Sequence, residues 1–391
     1  MNFAEFIAPL DAGTFRSQYY GRRPAHIRGD GIARSGLLPW ARFNDMLAIT
    51  PYWTEDSLKL YFRSRAALRE NYCDTADLRP GASAPVNPAK AKALMGLGAS
   101  LIANHLHRVC PPVGVVARML ALEFAARTFA NVYCSFKGVQ AFQTHFDLHD
   151  VFALQTEGRK TWRIYEARAD APVAPVPSGD EGEKFLNSTR GKLLFEAEMK
   201  PGDILYLPRG QYHDALTGSE ASLHVTFGVS PATGLALLKL LEKAVMQESA
   251  FRAYLPDARD RAGLQEHLEK LGSRVREVLV SPAFAQDVLN AQRDLAGTAA
   301  DYQLPSQPKP VWYSTAQRAR LVRRDRGYAI AFEGGEIALG ATYPTIEWML
   351  QQRMFSLEDA IARQPHVDRQ ELQGDLRRLL DAGVLVETEM R

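Results

Sequence analysis

The segment QTHFDLHDVFALQ (residues 143–155) places a histidine and an aspartate two positions apart, at His145 and Asp147. Alternate side chains of a β-strand point to the same face, so one strand can offer this imidazole and this carboxylate to one ion. A second segment, PGDILYLPRGQYH (residues 201–213), combines a Pro-Gly turn, a short apolar strand and a third candidate ligand, His213. Two imidazoles and one carboxylate leave three octahedral positions open, which is typical of non-haem iron(II) sites. We therefore predict that His145, Asp147 and His213 are iron ligands and the catalytic residues.

Short runs with strand periodicity surround these two segments. They are NVYCSF (131–136), VFALQT (151–156), KTWRIY (160–165), KLLFEAEM (192–199), DILYLP (203–208) and SLHVTFGV (222–229). Many short strands separated by turn-rich pieces indicate a sandwich or a barrel. The alternative, that both histidines are ordinary core or surface residues, requires the ligand tripeptide, the Pro-Gly-Asp segment and the β-rich surroundings to coincide by chance.

Alternation along two of these strands separates polar from apolar side chains. In SLHVTFGV, Ser222, His224 and Thr226 share one face, whereas the intervening residues Leu223, Val225, Phe227 and Val229 share the other. In NVYCSF, Asn131, Tyr133 and Ser135 form the corresponding polar face. This pattern favours a barrel with a polar, ligand-holding interior and an apolar exterior covered by other elements. A sandwich with the apolar face inward remains the alternative.

Segments outside the strand-rich region predict the domain organisation. Residues 1–232 are expected to form one domain, with N-terminal helical elements and a core at about 94–232 that includes the helical stretch MLALEFAARTF (119–129). Residues 233–305 contain amphipathic helices, for which a dimerisation region is preferred over a packed appendage. The linker QLPSQPKP (303–310) then leads into a third unit.

The third unit, residues 306–391, combines helices with a short β-hairpin. GYAIAFEGGEIALG (327–340) predicts a hairpin turning at its two central glycines, and Ser356 with Asp359 predicts a capping box at a helix start. A further helix is expected to end near Gly383 and to be followed by a strand. This order resembles a winged-helix domain.

Composition excludes several classes of protein. The 391 residues are 46% hydrophobic and 24% charged with a net charge of +2, so neither global disorder nor a strongly basic nucleic-acid-binding protein is indicated. Three widely separated cysteines suggest a reducing compartment without a disulfide framework. We find neither a secretory signal nor an apolar run of the roughly 18 residues that a membrane span needs, and we expect a soluble cytoplasmic protein.

Three segments resemble a known family. HFDLHDVFALQTEGRKTW (145–162), then PGDILYLPRGQYH (201–213) and LHVTFGV (223–229), resemble the JmjC (cupin-fold) 2-oxoglutarate oxygenases, and within them the ribosomal oxygenase group. YYGRRPAH (19–26) resembles the segment that opens such proteins. The resemblance implies an α+β fold: a double-stranded β-helix (cupin/JmjC jelly roll) with N-terminal helices, a helical dimerisation region and a C-terminal winged-helix domain.

The same resemblance implies iron(II), 2-oxoglutarate as cosubstrate and O₂. Lys160 matches the basic residue that pairs with the distal carboxylate of 2-oxoglutarate, and alternation places it on the same strand face as Trp162. Its neighbour Arg159 is the alternative partner. Cofactor-binding roles are also implied for Asn131, Tyr133 and Thr226, which are positions that line the pocket. At position 228 this chain has glycine where some members have serine, which puts the contact between that serine and the cosubstrate in question. His149 and His224 are expected near the site without being ligands.

The implied function is hydroxylation of a side chain in a protein substrate. A ribosomal protein is the first choice, with arginine favoured over histidine as the modified residue, and a homodimer is the expected assembly. Alternatives within enzymes are a hydroxylase of another peptide or of a small metabolite.

Two alternatives belong to other classes. A ligand-sensing DNA-binding regulator would use the third unit, but residues 306–391 carry 12 Lys and Arg against 12 Asp and Glu, so no specific DNA binding is expected. A zinc cupin would add further His or Glu ligands that close the site, whereas the three-ligand set favours iron. No membrane partner is expected.

Overall fold

The computed structural model describes residues 1–29, 32–49, 52–62, 65–75, 81–136, 143–176, 179–217, 221–246, 248–297, 311–324, 327–364 and 366–388. The chain divides into two compact units, Met1–Ala299 and Ala300–Arg391. The division into three domains at residues 232 and 305 stays a prediction, and the linker at 303–310 lies outside the described residues. Within those residues, no helix combines the length and the apolar character needed to cross a membrane.

The first unit is built around two antiparallel sheets. Its strands are β1 (Ala25–Ile27), β2 (Leu58–Phe62), β3 (Arg65–Ala66), β4 (Ser100–Ala103), β5 (Ala126–Ser135), β6 (Asp150–Glu157), β7 (Lys160–Arg168), β8 (Leu193–Met199), β9 (Ile204–Leu207), β10 (Gln211–Thr217) and β11 (Ser222–Pro231). Within the described residues, eight of them pair in the order β1-β9-β6-β11-β5-β4-β2-β3, and the other three in the order β10-β7-β8.

Helices flank these sheets along the chain. They are α1 (Phe3–Ile7), α2 (Ala12–Thr14), α3 (Ile32–Ser35), α4 (Trp40–Leu47), α5 (Pro88–Gly96), α6 (Pro111–Phe124), α7 (Asp180–Thr189), α8 (Gly234–Val245), α9 (Ser249–Arg252), α10 (Arg261–Leu279) and α11 (Pro282–Leu295). Short non-α turns of helix occur at Phe15–Tyr19, Arg69–Asn71 and Leu106–Arg108. The stretch predicted to be helical after residue 232 is therefore helical, while its role in dimerisation stays a prediction.

The two sheets face each other across a compact apolar cluster. Val151 and Ala153 of β6 and Leu205 of β9 are buried there with Trp162 and Ile164 of β7. Face-to-face packing of two antiparallel sheets is the arrangement of a jelly roll. The predicted JmjC/cupin fold is confirmed.

The outward face of the larger sheet is apolar and covered. Leu223, Val225, Phe227 and Val229 of β11 are fully buried in a cluster that includes residues of the N-terminal helices and α6. The ring of Phe227, for example, meets that of Phe6 of α1 edge-on at 6.0 Å. The predicted division of faces is therefore confirmed along β11, whose apolar face is turned outward under the helices. The alternative, in which this apolar face is turned inward, is wrong. Elsewhere the space between the sheets also holds the apolar cluster of β6, β7 and β9.

The structure corrects one expectation about the region before residue 131 and adds strands to another. The predicted helix at 119–129 ends at Phe124, because Ala125 adopts a left-handed conformation (φ 46°) and the chain turns into β5. Arg127 and Phe129 are strand residues paired with Ser230 and Gly228 of β11, so long-range pairing overrides the local helical pattern. The first 90 residues also contain β1, β2 and β3 in addition to the predicted helices and turns.

The second unit has its own core and confirms the local predictions made for it. Its elements are β12 (Trp312–Thr315), β13 (Ala319–Arg324), β14 (Gly327–Phe332), β15 (Gly335–Leu339), α12 (Tyr343–Gln351), α13 (Leu357–Arg363), α14 (Arg369–Asp381) and β16 (Leu385–Thr388). β14 and β15 form the hairpin, Ser356 and Asp359 form the capping box, and Gly383 has a φ of 66° after α14. Assignment as a winged helix stays a prediction.

Candidate metal centre

The structure brings His145, Asp147 and His213 together. One ligand atom of each lies within 4.8 Å of the other two. The backbone N–H of His145 donates to the carbonyl of His213 at 3.0 Å, and the reverse bond is 2.9 Å, so the two histidines pair directly across an isolated β-bridge. The Asp147 carboxylate lies 3.6 Å from Nε2 of His213. The three predicted ligands therefore meet at one point. The prediction that one strand carries His145 and Asp147 is wrong, because His145 forms only an isolated bridge with His213, Asp147 lies outside the strands, and β6 begins at Asp150.

Both imidazoles are oriented by the backbone. Nδ1 of His145 lies 2.8 Å from the carbonyl oxygen of Gln143, and Nδ1 of His213 lies 2.9 Å from that of Gln211. A carbonyl can only accept, so each Nδ1 carries the proton and the ring lone pair is on Nε2, the atom that can bind a metal. Each histidine therefore presents its ligand atom without any change of tautomer.

The protonation states suit a cation. Burial lowers the pKa of His213 to about 4, with the His145 imidazole adding to the effect, so the ring is neutral near pH 7. Burial alone would raise the pKa of Asp147, but the neighbouring His213 and His145 bring it below its usual value. Two imidazoles and one carboxylate match the donor set of a 2-His-1-carboxylate site.

The interior beside this triad is lined by strand pairs with polar side chains. Cross-strand partners on β5 and β11 are Ser135 with Ser222, Tyr133 with His224, Asn131 with Thr226, and Phe129 with Gly228. The rings of Tyr133 and His224 stack 4.9 Å apart. Trp162 lies 5.4 Å from His224 and 5.7 Å from His213, measured between ring centroids, and so links this lining to the triad.

Lys160 supplies a cation to the same interior. Its side chain is 5% exposed, its Nζ donates to the Ser135 hydroxyl at 3.2 Å, and burial lowers its pKa to about 8. Among the described residues, no carboxylate forms a salt bridge with it. Arg159 instead is exposed on the surface, where it pairs with Glu198 at 2.9 Å. Alternation along β7 thus places Lys160 inside and Arg159 outside.

Several buried polar atoms of the lining lack a hydrogen-bond partner among the described residues. They are Thr226 Oγ1, His224 Nδ1 and Trp162 Nε1. Buried polar groups are normally hydrogen-bonded, and an exception in a native structure calls for an explanation such as an absent ligand. The triad, the buried Lys160 amine without a carboxylate partner among the described residues, and these orphaned atoms together fit a metal ion with a polar, anionic small molecule beside it.

Comparison with known proteins decides the family. The JmjC domain family matches residues 114–237. The Dictyostelium discoideum protein named bifunctional lysine-specific demethylase and histidyl-hydroxylase NO66 is 28% identical over 297 residues, covering 71% of this chain and 53% of the relative. Ribosomal oxygenase 1 of Rattus norvegicus is 30% identical over 290 residues, covering 71% and 46%. Residues 114–237 of this chain therefore form a domain of the JmjC family.

A solved structure extends the likeness in fold. The Escherichia coli ribosomal oxygenase YcfD aligns over 97% of this JmjC protein and 98% of its own chain, with a TM-score of 0.52 and 16% identity. The same Escherichia coli protein has been solved in complex with cobalt and 2-oxoglutarate. This chain spans about half the length of the curated relatives it matches. The resemblance predicted from the sequence is therefore confirmed at the level of family and fold.

The remaining predicted residues of the JmjC site also lie close to it. Burial raises the pKa of the Tyr133 hydroxyl, which therefore stays protonated, and a hydrogen bond with Asn131 opposes that rise. Asn131 Oδ1 accepts from the backbone N–H of His105 at 3.0 Å. His149 has its Nε2 atom 3.9 Å from the Asp147 carboxylate, but it is outside the ligand cluster found among the described residues.

Sequence reasoning missed two features of the site. Phe129, assigned to a helix, lies on β5 with its ring against Gly228 and 4.9 Å from the ring of His149. Asp214 follows His213 directly and is almost completely buried in a polar network. An aspartate after a predicted ligand was the only sequence signal for the second feature, and nothing marked it as buried.

Proposed function

We propose that this JmjC protein is an iron(II)- and 2-oxoglutarate-dependent oxygenase that hydroxylates a side chain of a protein substrate. One observation carries the proposal: a preoriented His-Asp-His triad shares its interior with a buried amine that has no carboxylate partner among the described residues. The Lys160 amine can pair with one carboxylate of a dicarboxylate ligand while the other end of that ligand reaches the metal. The Escherichia coli neighbour, which was solved with cobalt and 2-oxoglutarate, supports the combination of a metal with this dicarboxylate.

Each group has a distinct task in this proposal. His145, Asp147 and His213 would hold the iron, and Lys160 would bind the distal carboxylate of 2-oxoglutarate. Thr226 Oγ1, orphaned in the interior, is suited to hydrogen-bond that cosubstrate. The bound iron and 2-oxoglutarate supply oxidation of a C–H bond by O₂. The protein preorganises the ligands and excludes water, which keeps the electrostatic interactions strong.

A turnover assay tests this proposal. Protein loaded anaerobically with iron(II) is expected to release succinate from 2-oxoglutarate in the presence of O₂, and Asp147→Ala is expected to abolish the release. Turnover that survives Asp147→Ala would overturn the iron assignment. Metal analysis showing tightly bound zinc and no succinate would favour a zinc cupin instead.

The substrate is proposed to be a ribosomal protein, by relation to the ribosomal oxygenases. Arginine is the residue predicted from the sequence. Histidine is the second candidate, since curated relatives at 28–36% identity carry the name histidyl-hydroxylase. Mass spectrometry of ribosomal proteins from cells with and without the gene would locate the loss of one oxygen atom and name the residue. A small metabolite is indicated if purified protein turns over 2-oxoglutarate but every ribosomal protein is unchanged.

We further propose that helices α8–α11 form a homodimer contact. Large apolar side chains are exposed along them: Leu235, Leu238, Leu268, Leu279, Val280 and Leu289. Light scattering after size exclusion is expected to show a dimer that becomes a monomer in Leu235→Lys/Leu238→Lys. The matched control is Leu97→Lys, an exposed leucine at the end of α5, which should stay dimeric.

The second unit is proposed to be a winged helix that does not read DNA, because its charges balance. Sequence-specific retardation of duplex DNA in a mobility-shift assay would contradict this and revive the regulator hypothesis. A cytoplasmic location is proposed on the sequence argument above.

A further inference from the structure

Asp214 follows His213 on β10, and its side chain is 1% exposed. Three groups donate hydrogen bonds to its carboxylate: Arg163 Nε to Oδ1 at 2.8 Å, the Tyr165 hydroxyl to Oδ2 at 2.6 Å, and the Thr144 hydroxyl to Oδ2 at 2.9 Å. Arg190 Nη1 lies 3.9 Å from Oδ2. The buried carboxylate therefore has both hydrogen-bond partners and compensating charge.

The network lies behind the two histidines of the triad. His145 and His213 exchange two backbone hydrogen bonds, so the segments that carry them are already adjacent. Because side chains alternate along β10, Asp214 points away from the face that carries His213, and the Thr144 hydroxyl meets it there. The bond between Thr144 and Asp214 is thus a second link between the same two segments, on the reverse side.

Arg190 completes this network from α7. Its Nη1 donates to the Thr144 and Tyr165 hydroxyls at 2.8 Å each, and its guanidinium lies 4.4 Å from the centre of the Tyr165 ring. Since both hydroxyls accept from Arg190, each directs its own proton to Asp214. Arg190 is the C-cap of α7, so the network joins this helix to β7, β10 and the segment before His145.

We propose that Asp214 is a positioning residue that sets the spacing of the His145 and His213 imidazoles and so preorganises the triad for metal. This inference rests on the proposed metal site. Groups that orient metal ligands from behind typically change metal affinity about 10- to 100-fold when they are altered. Asp214 would act through the two segments that it joins and would not touch the metal or the substrate.

The network needs a charged group at position 214 that accepts hydrogen bonds on both of its oxygens. Its two oxygens face donors only, from Arg163 on one side and from two hydroxyls on the other. In Asp214→Asn, the amide nitrogen must meet one of these donors, whichever way the amide is turned, and leave it unsatisfied. We expect the β7 and β10 strands to shift apart locally and the ligand spacing to loosen.

The test is titration of the apo protein with cobalt(II) alone, followed by calorimetry and by the visible absorption that reports cobalt coordination. Asp214→Asn is expected to weaken cobalt(II) binding by about 10- to 100-fold and to change the spectrum. Tyr165→Phe and Thr144→Val each remove one donor, and smaller losses in the same direction are expected. The control is Phe227→Leu, a core change on the outward face of β11, which should lower the melting temperature without altering affinity or spectrum.

The outcomes separate this inference from the proposed function. Wild-type protein that fails to bind cobalt(II) overturns the metal site and the inference with it. Wild-type binding with unchanged affinity and spectrum in Asp214→Asn overturns the inference alone, because Asp214 would then be structural only. If Asp214→Asn does not fold, Tyr165→Phe and Thr144→Val decide: affinity loss in both supports the positioning role, and wild-type affinity in both refutes it.

Discussion

At the scale of single residues, Lys160 is a charged group placed where charge is costly. Burial lowers its pKa from 10.5 to about 8, and its only hydrogen bond given by the described residues goes to the Ser135 hydroxyl. An ammonium held in this way is destabilising by itself, and an anion brought beside it restores the lost solvation. The residue therefore serves binding at the expense of stability.

Replacing Lys160 by Met is expected to stabilise the protein near neutral pH while abolishing 2-oxoglutarate binding. Between pH values of about 8 and 10.5, Lys160 is largely protonated in the unfolded chain and largely neutral in the folded protein. The free-energy cost of burying the charged amine is therefore fully present below about pH 8 and fades as the pH rises through this window. A shift of this size corresponds to about 3 kcal/mol at pH 7, an upper figure for the gain. Urea unfolding at pH 7 and 10 measures it. Arg159→Ala on the exposed neighbour should change stability by no more than about 0.5 kcal/mol.

The same ionisation predicts how cosubstrate binding depends on pH. Since the charged amine holds the distal carboxylate, the KM for 2-oxoglutarate should rise about tenfold per pH unit once pH exceeds about 8. In Lys160→Arg the rise should vanish, because a guanidinium stays protonated over this range. A wild-type KM that stays flat from pH 7 to about 9.5 would argue against Lys160 as the partner of the carboxylate.

At the scale of elements, β11 organises the first unit because its two faces have opposite tasks. The outward side chains pack under the N-terminal helices and α6, and the inward ones line the interior. Gly228 interrupts the inward row where the Phe129 ring crosses it: a Cβ at position 228 would lie 2.3 Å from the ring's Cζ atom. Because residue 228 has no side chain, the Phe129 ring can occupy this space and contact the ring of His149, beside the triad.

Gly228→Ala is therefore expected to destabilise the protein by about 1–3 kcal/mol, because the Phe129 ring must move. Combining it with Phe129→Ala should remove the clash, so the double variant should lose less stability than the two single losses added together. The free energy of unfolding in urea is measured for the wild type, the two single variants and the double variant, which together form a double-mutant cycle. Additive losses would show that the ring and position 228 are energetically independent.

At the scale of the whole molecule, the candidate site belongs to one of two separately packed units. All residues of the triad and its lining lie in Met1–Ala299, while Ala300–Arg391 has a core of its own around Ile330, Ile346 and Leu372. Ligand binding stabilises only the part of a protein that contains the site. The two units should consequently respond differently to metal.

Calorimetry of the full chain is expected to resolve two unfolding transitions, of which only one shifts upward with cobalt(II) or manganese(II). At a free metal concentration about one hundred times Kd the gain is about 2.7 kcal/mol, which is a rise of several degrees for a unit of this size. Asp147→Ala should cancel the shift and leave the second transition where it was. A shift of both transitions would mean that the units unfold together.

The sequence by itself determined which residues are candidates for the metal site. The two-residue spacing of His145 and Asp147 and the Pro-Gly-Asp segment leading to His213 are local patterns, although the first two ligands lie outside the strands of the structure. The alternation that puts Lys160 inside follows from the periodicity of a strand. Local signals such as the Ser356 capping box were equally readable, because their causes lie within a few residues.

Only the tertiary structure decided what depends on contacts between distant segments. The local pattern around Phe129 predicts a helix, because the strand pairing of Phe129 with Gly228 joins residues about one hundred positions apart in the chain. Asp214 resembled any polar neighbour of a ligand until Thr144, Arg163 and Arg190 were seen to surround it. Periodicity reports the direction of a side chain, whereas burial and partnership arise from which segments meet in the folded chain.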